Sequence, residues 1–379
     1  MSREVVINPA LFRRVRMPLE QAETLPASCY YAEEFYKAEI DNIFMKVWNF
    51  IGHVDYVPNP GDYYTLEFVG VPIILIRDQQ GQVRAFANTC RHRGCQIVEG
   101  SGNCKAFVCP YHGWTYALNG DLLSAPEMHL TKDFRQSFYG LKPIRLEIWE
   151  GFIFVNFDPT AGSLSEYLGD LPETLASYRF GDMRMTRRVE YMLSCNWKIY
   201  VENAMEAYHV PMVHMRTLHK QKRETPPPVP SKGNWVGLHV RHQGSRALLT
   251  GDTGFPPIKT LSGLAAQGSY YTLIYPSTMF GCTVDCMWWL ELHPQGPEKT
   301  RLIVGSCFPS ETVARADFNE VVQRYDKRWN ISIPEDNAIS ELQQKGIRSP
   351  LAESGRLSHM EPLVHSIANW VLDKVLDGR

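Results

Sequence analysis

Apolar positions follow three regimes along the chain. Residues 30–46, YYAEEFYKAEIDNIFMK, repeat apolar side chains at helical spacing, so a helix is expected near the start. From Gly61 to about Phe157 the period shortens. YYTLEF, VPIILI and QVRAFAN read as strands, with DQQG as a turn before the third, and this stretch predicts an all-β domain. Beyond it, helical patterns near 196–210, 311–329 and 361–376 alternate with strand-like YYTLIY and CMWWLELH, which predicts an α+β domain. The expected division is a helical segment over 1–47 packing on the last domain, an all-β domain over 48–160 and an α+β domain over 161–379. The insertion KQKRETPPPVPSKGN at 220–234 is Pro-rich and charged, and predicts an exposed or mobile loop near the last domain's entrance.

Composition narrows the function classes. With 379 residues and 44% hydrophobic content the chain can bury one or two cores. Lys and Arg number 39 against 41 Asp and Glu, a net charge of −2 that predicts no nucleic-acid partner. The first twenty residues carry scattered charges and no apolar core of signal-peptide length, so a cytoplasmic location is expected. The longest apolar run, FVGVPIILI, is about half of what a membrane span needs, so no membrane partner is expected either. Nine cysteines in a reducing compartment point away from a disulfide framework and toward metal ligation where they cluster.

They cluster in CRHRGCQIVEGSGNCKAFVCPYHGW, residues 90–114. Cys90 and His92 form one pair and Cys109 and His112 a second, with sixteen residues between the pairs. A zinc site uses similar ligands but usually takes two Cys from one knuckle and two His from the other. Here each knuckle offers one thiolate and one imidazole. A Rieske [2Fe–2S] centre needs that mixture, with both thiolates on one iron and both imidazoles on the other. Cys29, Cys195, Cys282, Cys286 and Cys307 stand apart and read as buried apolar thiols.

A second candidate lies in CNWKIYVENAMEAYHVPMVH, residues 195–214. His209 and His214 are five apart, about 140° around an ideal helix, so a regular helix would not bring them to one ion. Pro211 is expected to break the helix and let His214 swing back toward His209. Two imidazoles and a carboxylate on one face of a metal make the facial triad of non-haem Fe(II) oxygenases. The segment IPEDNAISELQQKG, 333–346, reads as a short helix with Pro334 in its first turn and Gly346 at its end, which puts Asp336 near the N-terminus. An acidic residue there also has a plain explanation in the helix dipole.

Through C-R-H-R-G and C-P-Y-H-G-W, and then NWK…ENAMEAYHVPMVH and E-D-N-A-I-S-E, the chain resembles the Rieske non-haem iron oxygenases from about residue 30 to 376. The resemblance implies an all-β Rieske domain and an α+β catalytic domain with an antiparallel sheet and helices around a mononuclear iron. It implies a cluster on Cys90, His92, Cys109 and His112, and Fe(II) on His209, His214 and Asp336 with O2 as co-substrate. Trp197 and Asn203 fall in the surrounding shell, and Glu206 occupies the place of an acidic residue linking the two centres. Respiratory Rieske proteins brace their cluster with a disulfide. Cys95 fills the first such place, but Tyr111 fills the second, and the reducing compartment argues against Cys104 as a substitute partner.

Glu206, three residues before His209, is expected to share its helical face, accept its second ring N–H and reach His112 of a neighbouring subunit. The family forms head-to-tail trimers, so a homotrimer without a fixed small subunit is expected. No dinucleotide fingerprint, flavin motif or ferredoxin cysteine run occurs, which implies a separate NAD(P)H-dependent reductase, with or without a ferredoxin. Three functional readings follow. The favoured one is hydroxylation of a small aromatic compound or acid. The alternatives are a carnitine- or betaine-like quaternary ammonium monooxygenase or N-demethylase, and an electron carrier lacking the second iron. Trp288 and Trp289 sit on opposite faces of a strand, so only one of them could face a substrate pocket, and the plainer reading of either is a core or interface tryptophan.

Overall fold

In the computed structural model, residues 7–215, 217–218 and 226–377 are described. Chain contacts divide the protein into Lys46–Leu164 and a second unit in which Met1–Met45 joins Ser165–Arg379.

The first unit is antiparallel β throughout. Strands β1 (Asn49–His53), β2 (Asp62–Phe68), β3 (Val71–Arg77), β4 (Val83–Ala87), β5 (Ser101–Asn103), β9 (Pro143–Trp149) and β10 (Phe152–Asn156) form one sheet in the order β1-β10-β9-β4-β3-β2-β5. A small sheet of β6 (Phe107–Val108), β7 (Thr115–Tyr116) and β8 (Leu122–Ser124) completes it. β3 is covered on both faces, with Ile73, Ile74, Leu75 and Ile76 all fully buried, and so its sequence is continuously apolar instead of alternating. The two sheets share a core in which Ile74, Ile76 and Phe86 meet Phe107, Trp114 and Tyr116.

The second unit is α+β. Its sheet runs β11-β16-β15-β14-β13-β12, made of β11 (Met183–Leu193), β12 (Trp235–Arg241), β13 (Gly268–Ile274), β14 (Thr278–Cys282), β15 (Met287–Gly296) and β16 (Lys299–Pro309). Five consecutive strands form a meander, and β11 closes the far edge on β16. Helices α1 (Glu33–Glu39), α2 (Trp197–Ala204), α3 (Val210–Val213), α4 (Phe318–Ile347) and α5 (Pro362–Asp377) accompany it. Buried polar contacts tie the N-terminal segment to α2. Lys198 Nζ lies 2.6 Å from Glu39, the Trp197 indole N–H donates to Glu39 at 3.2 Å, and the Tyr30 hydroxyl donates to Glu202 at 2.9 Å. Removing one partner of the fully buried Lys198–Glu39 pair would strand a charge in the core.

Four sequence expectations change. The helix expected at 30–46 starts at Glu33 and finishes as a π-helical turn over Ile40–Phe44. The helix expected over 196–210 stops at Ala204, well before Pro211, which sits instead in the first turn of α3, where its missing N–H costs nothing. The short helix expected at 333–346 is the second half of a 30-residue helix, with Pro334 inside it and Gly346 short of its end. Pro334 is tolerated because it and Asn330, whose carbonyl loses its partner, both lie on the exposed side where water substitutes. Asp336 is therefore mid-helix, and the dipole explanation for it falls away.

Residues 220–225 of the expected loop lie outside the described residues. Residues 226–234 run without regular structure, and the Val229 N–H donates to the Gly237 carbonyl at 2.8 Å. Among the described residues no helix is long and apolar enough to cross a membrane.

Candidate metal centres

In the β unit, Cys90 and Cys109 open two turns of matching geometry. The Gly94 N–H donates to the Cys90 carbonyl at 3.0 Å, and the Gly113 N–H donates to the Cys109 carbonyl at 3.0 Å. Both glycines need a left-handed backbone, with φ of 75° and 72°, which explains a Gly four residues after each Cys. Each turn buries its thiol and exposes its imidazole. Cys90 and Cys109 are 3% and 2% exposed, whereas His92 and His112 reach the surface with ring centroids 4.6 Å apart. The His92 ring stacks on Trp114 at 5.0 Å. Two inward thiols and two outward imidazoles, converging from two turns, fit a [2Fe–2S] group held by both pairs.

Tyr116 was not singled out by the sequence. Its hydroxyl lies 3.3 Å from Cys90 Sγ and accepts the Arg91 N–H at 3.0 Å. Burial, and then the neighbouring Cys90, raises its pKa and keeps it a donor. All nine cysteines are free, and Cys95 Sγ lies 3.2 Å from the Gln96 carbonyl oxygen.

In the catalytic unit, His209, His214 and Asp336 come together with ligand atoms within 4.8 Å of one another. The convergence depends on the chain leaving α2 at Ala204, turning through 205–209 and restarting as α3, which presents both imidazoles to the middle of α4. Asp336 Oδ1 lies 3.0 Å from His214 Nε2 and 3.5 Å from His209 Nε2. Each remaining ring nitrogen meets a carboxylate. His209 Nδ1 pairs with Glu206, and His214 Nδ1 lies 2.7 Å from Glu335. The Asn203 amide donates to Asp336 at 3.1 Å. The Nδ1 partners orient both rings so that Nε2 of each faces the carboxylate, a donor set that fits a divalent iron with open positions.

Electrostatics hold the group together. Burial alone would lower the His209 pKa, but Asp336 and Glu206 push it up to about 9. Burial alone would raise the Asp336 pKa, but the two imidazoles hold it well below the usual carboxylate range. A bound cation takes the place of the shared protons, so loading the site releases them.

Two sequence expectations about this site are corrected. Trp197 does not belong to it, because its indole is fully buried against Glu39 and Phe44. Glu206 and His209 do not share a helix. Glu206 lies in the turn after α2, where one carboxylate oxygen meets His209 Nδ1 and the other accepts the backbone N–H groups of Tyr208 and His209. Glu335 was passed over because only its neighbour Asp336 was sought. Its signal was the adjacent pair of acids.

A cavity of about 160 Å³ opens beside the triad, lined by Glu206, His209, His214 and Asp336 at one side and by sheet residues at the other. Strand alternation sends Trp288 and Leu290 into the cavity, while Trp289 turns away and its indole N–H donates to Glu291 at 3.4 Å. Gly281, paired across the ladder with Trp288, makes room for the indole, since a Cβ there would come within 2.4 Å of the ring.

Residues 47–135 match the family model described as the Rieske [2Fe-2S] domain, and residues 180–377 match the ring hydroxylating alpha subunit (catalytic domain). The chain is 30% identical to the chloroplastic choline monooxygenase of Atriplex hortensis over 371 residues, 94% of this chain and 78% of that one. It is 27% identical to the glycine betaine monooxygenase oxygenase subunit of Chromohalobacter salexigens over 385 residues, covering 93% and 86% of the two chains. Its fold is shared with the quaternary ammonium Rieske monooxygenase CntA in complex with an inhibitor, at a TM-score of 0.79 and 24% identity over 100% of this chain and 99% of that one. The chain belongs to the Rieske non-haem iron oxygenases, as a ring-hydroxylating alpha subunit. Its cofactors are a Rieske [2Fe–2S] cluster and a mononuclear iron, and it uses O2.

Proposed function

We propose that this chain is the terminal oxygenase of a multicomponent system that oxidises a small quaternary ammonium compound, with electrons from a separate NAD(P)H-dependent reductase. The observation that carries this reading is likeness over nearly the whole chain to enzymes named for choline and glycine betaine, with coverage of 94% and 93%. It displaces the aromatic substrate favoured on sequence alone. The cavity of about 160 Å³ suits one small molecule of either kind, so the choice rests on the likeness alone.

In this reading Cys90, His92, Cys109 and His112 hold the cluster, and His209, His214 and Asp336 hold the iron. The cluster supplies single electrons and the iron supplies O2 activation. The protein's own part is positional. Glu206 and Glu335 fix the two imidazoles, Asn203 steadies Asp336, and the apolar walls from β14 and β15 exclude water from the reacting carbon. Glu206 links the centres across the subunit boundary of a head-to-tail trimer. An electron carrier without the second iron would leave His209, His214 and Asp336 converging for no purpose.

The test is substrate-dependent O2 uptake with a surrogate reductase, run on trimethylammonium compounds and on aromatic acids. Coupled uptake and product formation with the first panel is expected. Coupled turnover of aromatic acids alone would overturn the reading.

A further inference from the structure

Arg328 is a buried cation on which the Asp336 charge acts only at longer range. It is 8% exposed and lines the cavity. Among the described residues no carboxylate pairs with it. Its guanidinium makes one long hydrogen bond, to the Ser332 hydroxyl at 3.4 Å, and lies over the Trp288 ring at 5.1 Å. Its Nε has no hydrogen-bond partner. A buried guanidinium held by one long protein hydrogen bond costs stability, because that single contact does not replace its hydration. That cost is recovered when a ligand brings an anion with the matching forked geometry.

The two ends of the cavity differ in sign. Burial raises the pKa of the adjacent Tyr271 phenol, and Arg246 and then Arg328 oppose it; Arg246 has a partner of its own, so the sign of this end rests on Arg328. The opposite end carries Glu206, Asp336 and, behind His214, Glu335. A divalent ion there still leaves the three carboxylates in excess. The cavity is thus negative at the metal end and positive at the Arg328 end. Arg328 and Asp336 are eight residues apart on one face of α4, so their backbones are separated by about 12 Å. A bare cation gains nothing at the Arg328 end, while a molecule with an ammonium at one end and a carboxylate at the other matches both.

We propose that Arg328 receives a carboxylate of the substrate, so that this chain selects zwitterionic quaternary ammonium compounds over cationic alcohols such as choline. The proposal rests on the quaternary ammonium reading above and names the subclass within it. Arg328 is the residue that fixes which end of the molecule enters first, leaving the N-methyl groups toward the metal triad.

The experiment is calorimetric binding to the metal-loaded enzyme, using trimethylammonio carboxylates of increasing chain length, choline, and a tert-butyl carboxylate in which carbon replaces the nitrogen. A zwitterion of suitable length is expected to bind on the order of 10- to 100-fold tighter than choline. Arg328→Met, which keeps apolar contact with Trp288, should abolish that preference, and Arg328→Lys should keep part of it. The melting temperature of ligand-free Arg328→Met should equal or exceed that of the parent, since an unpaired buried charge has been removed. Equal affinity for choline and zwitterions in the parent, or an undiminished preference in Arg328→Met, would overturn the proposal. A marked fall in melting temperature would assign Arg328 a structural role and overturn it too. If the tert-butyl carboxylate binds as tightly as the zwitterion and depends equally on Arg328, the Arg328 proposal stands and the quaternary ammonium reading fails.

Discussion

His214 Nδ1 lies 2.7 Å from Glu335 Oε2, and the Thr217 hydroxyl donates to the same carboxylate oxygen at 2.7 Å. The pair mirrors His209 with Glu206, so both imidazoles of the triad are oriented by carboxylates from separate segments. A carboxylate on the outer ring nitrogen fixes the tautomer and raises the basicity of the inner one. Glu335→Ala should therefore weaken mononuclear iron binding by roughly 10- to 100-fold. The Rieske spectrum should be unchanged. Iron titration followed by absorbance and metal analysis reads both, and undiminished iron affinity would show that Thr217 and packing hold the ring without Glu335.

The hydroxyl of Tyr116 accepts a backbone N–H and lies 3.3 Å from Cys90 Sγ, which directs its own proton at the sulfur. A hydrogen bond to a ligating sulfur stabilises the reduced, more negative cluster. Tyr116→Phe should keep the cluster and lower its reduction potential, on the order of tens of millivolts. Spectroelectrochemistry measures this directly. A potential equal to the parent's would mean that the hydroxyl proton points elsewhere.

The parts legible in the sequence were those written in residue type and spacing. Cys90, His92, Cys109 and His112 are marked by chemistry and by the glycines their turns require. The strands around them are marked by alternation or by apolar runs. Helix α4 was not legible as one element, for a physical reason. Its inward stripe, Arg328, Ser332, Asp336, Ser340 and Gln344, is polar at every fourth position, because it faces a cavity and a hydrogen-bonded interior instead of an apolar core. A search for apolar periodicity finds no continuous helix there, and Pro334 invites a false boundary. Helix α2 failed in the opposite sense: the apolar pattern continues to Val210, but the turn at Glu206 satisfies backbone N–H groups with a side chain and ends the helix early. Trp197 was misjudged because it shares α2 with Asn203, which reaches the site at the other end of the helix, while its own ring faces the N-terminal segment.

Stability should respond to pH in an unusual direction through Glu202. Burial pushes its carboxyl from 4.5 up to about 7, with Glu361 and Glu39 adding repulsion, against the Tyr30 hydrogen bond and the Lys198 charge. Between those values the native state holds a proton that the unfolded chain has released. Stability is therefore lost as pH rises through that window. Glu202→Gln stays neutral and can still accept from Tyr30, so its stability relative to the parent should grow by at most roughly 3 kcal/mol between pH 4.5 and 7. Urea unfolding of both proteins across that range tests it. A constant difference would mean that Glu202 is already ionised in the folded protein at the lower pH.

Glu206 allows orientation and electron transfer to be separated. Its carboxylate accepts at both oxygens, from His209 on one and from the backbone of Tyr208 and His209 on the other. An amide accepts at only one end, so Glu206→Gln must lose either the imidazole contact or the turn, besides losing its charge. Iron affinity should fall by roughly tenfold, which excess iron restores. At saturating iron the proposed role of Glu206 as the charged link between the centres predicts a cluster still reduced by the partner that passes its electron onward slowly. Single-turnover reoxidation of the pre-reduced cluster, with O2 and substrate present, isolates that step from binding. A large slowing at full iron occupancy supports Glu206 as the link. Reoxidation at the parent rate with undiminished product would restrict Glu206 to holding His209 and the turn, and electron transfer would then need another route.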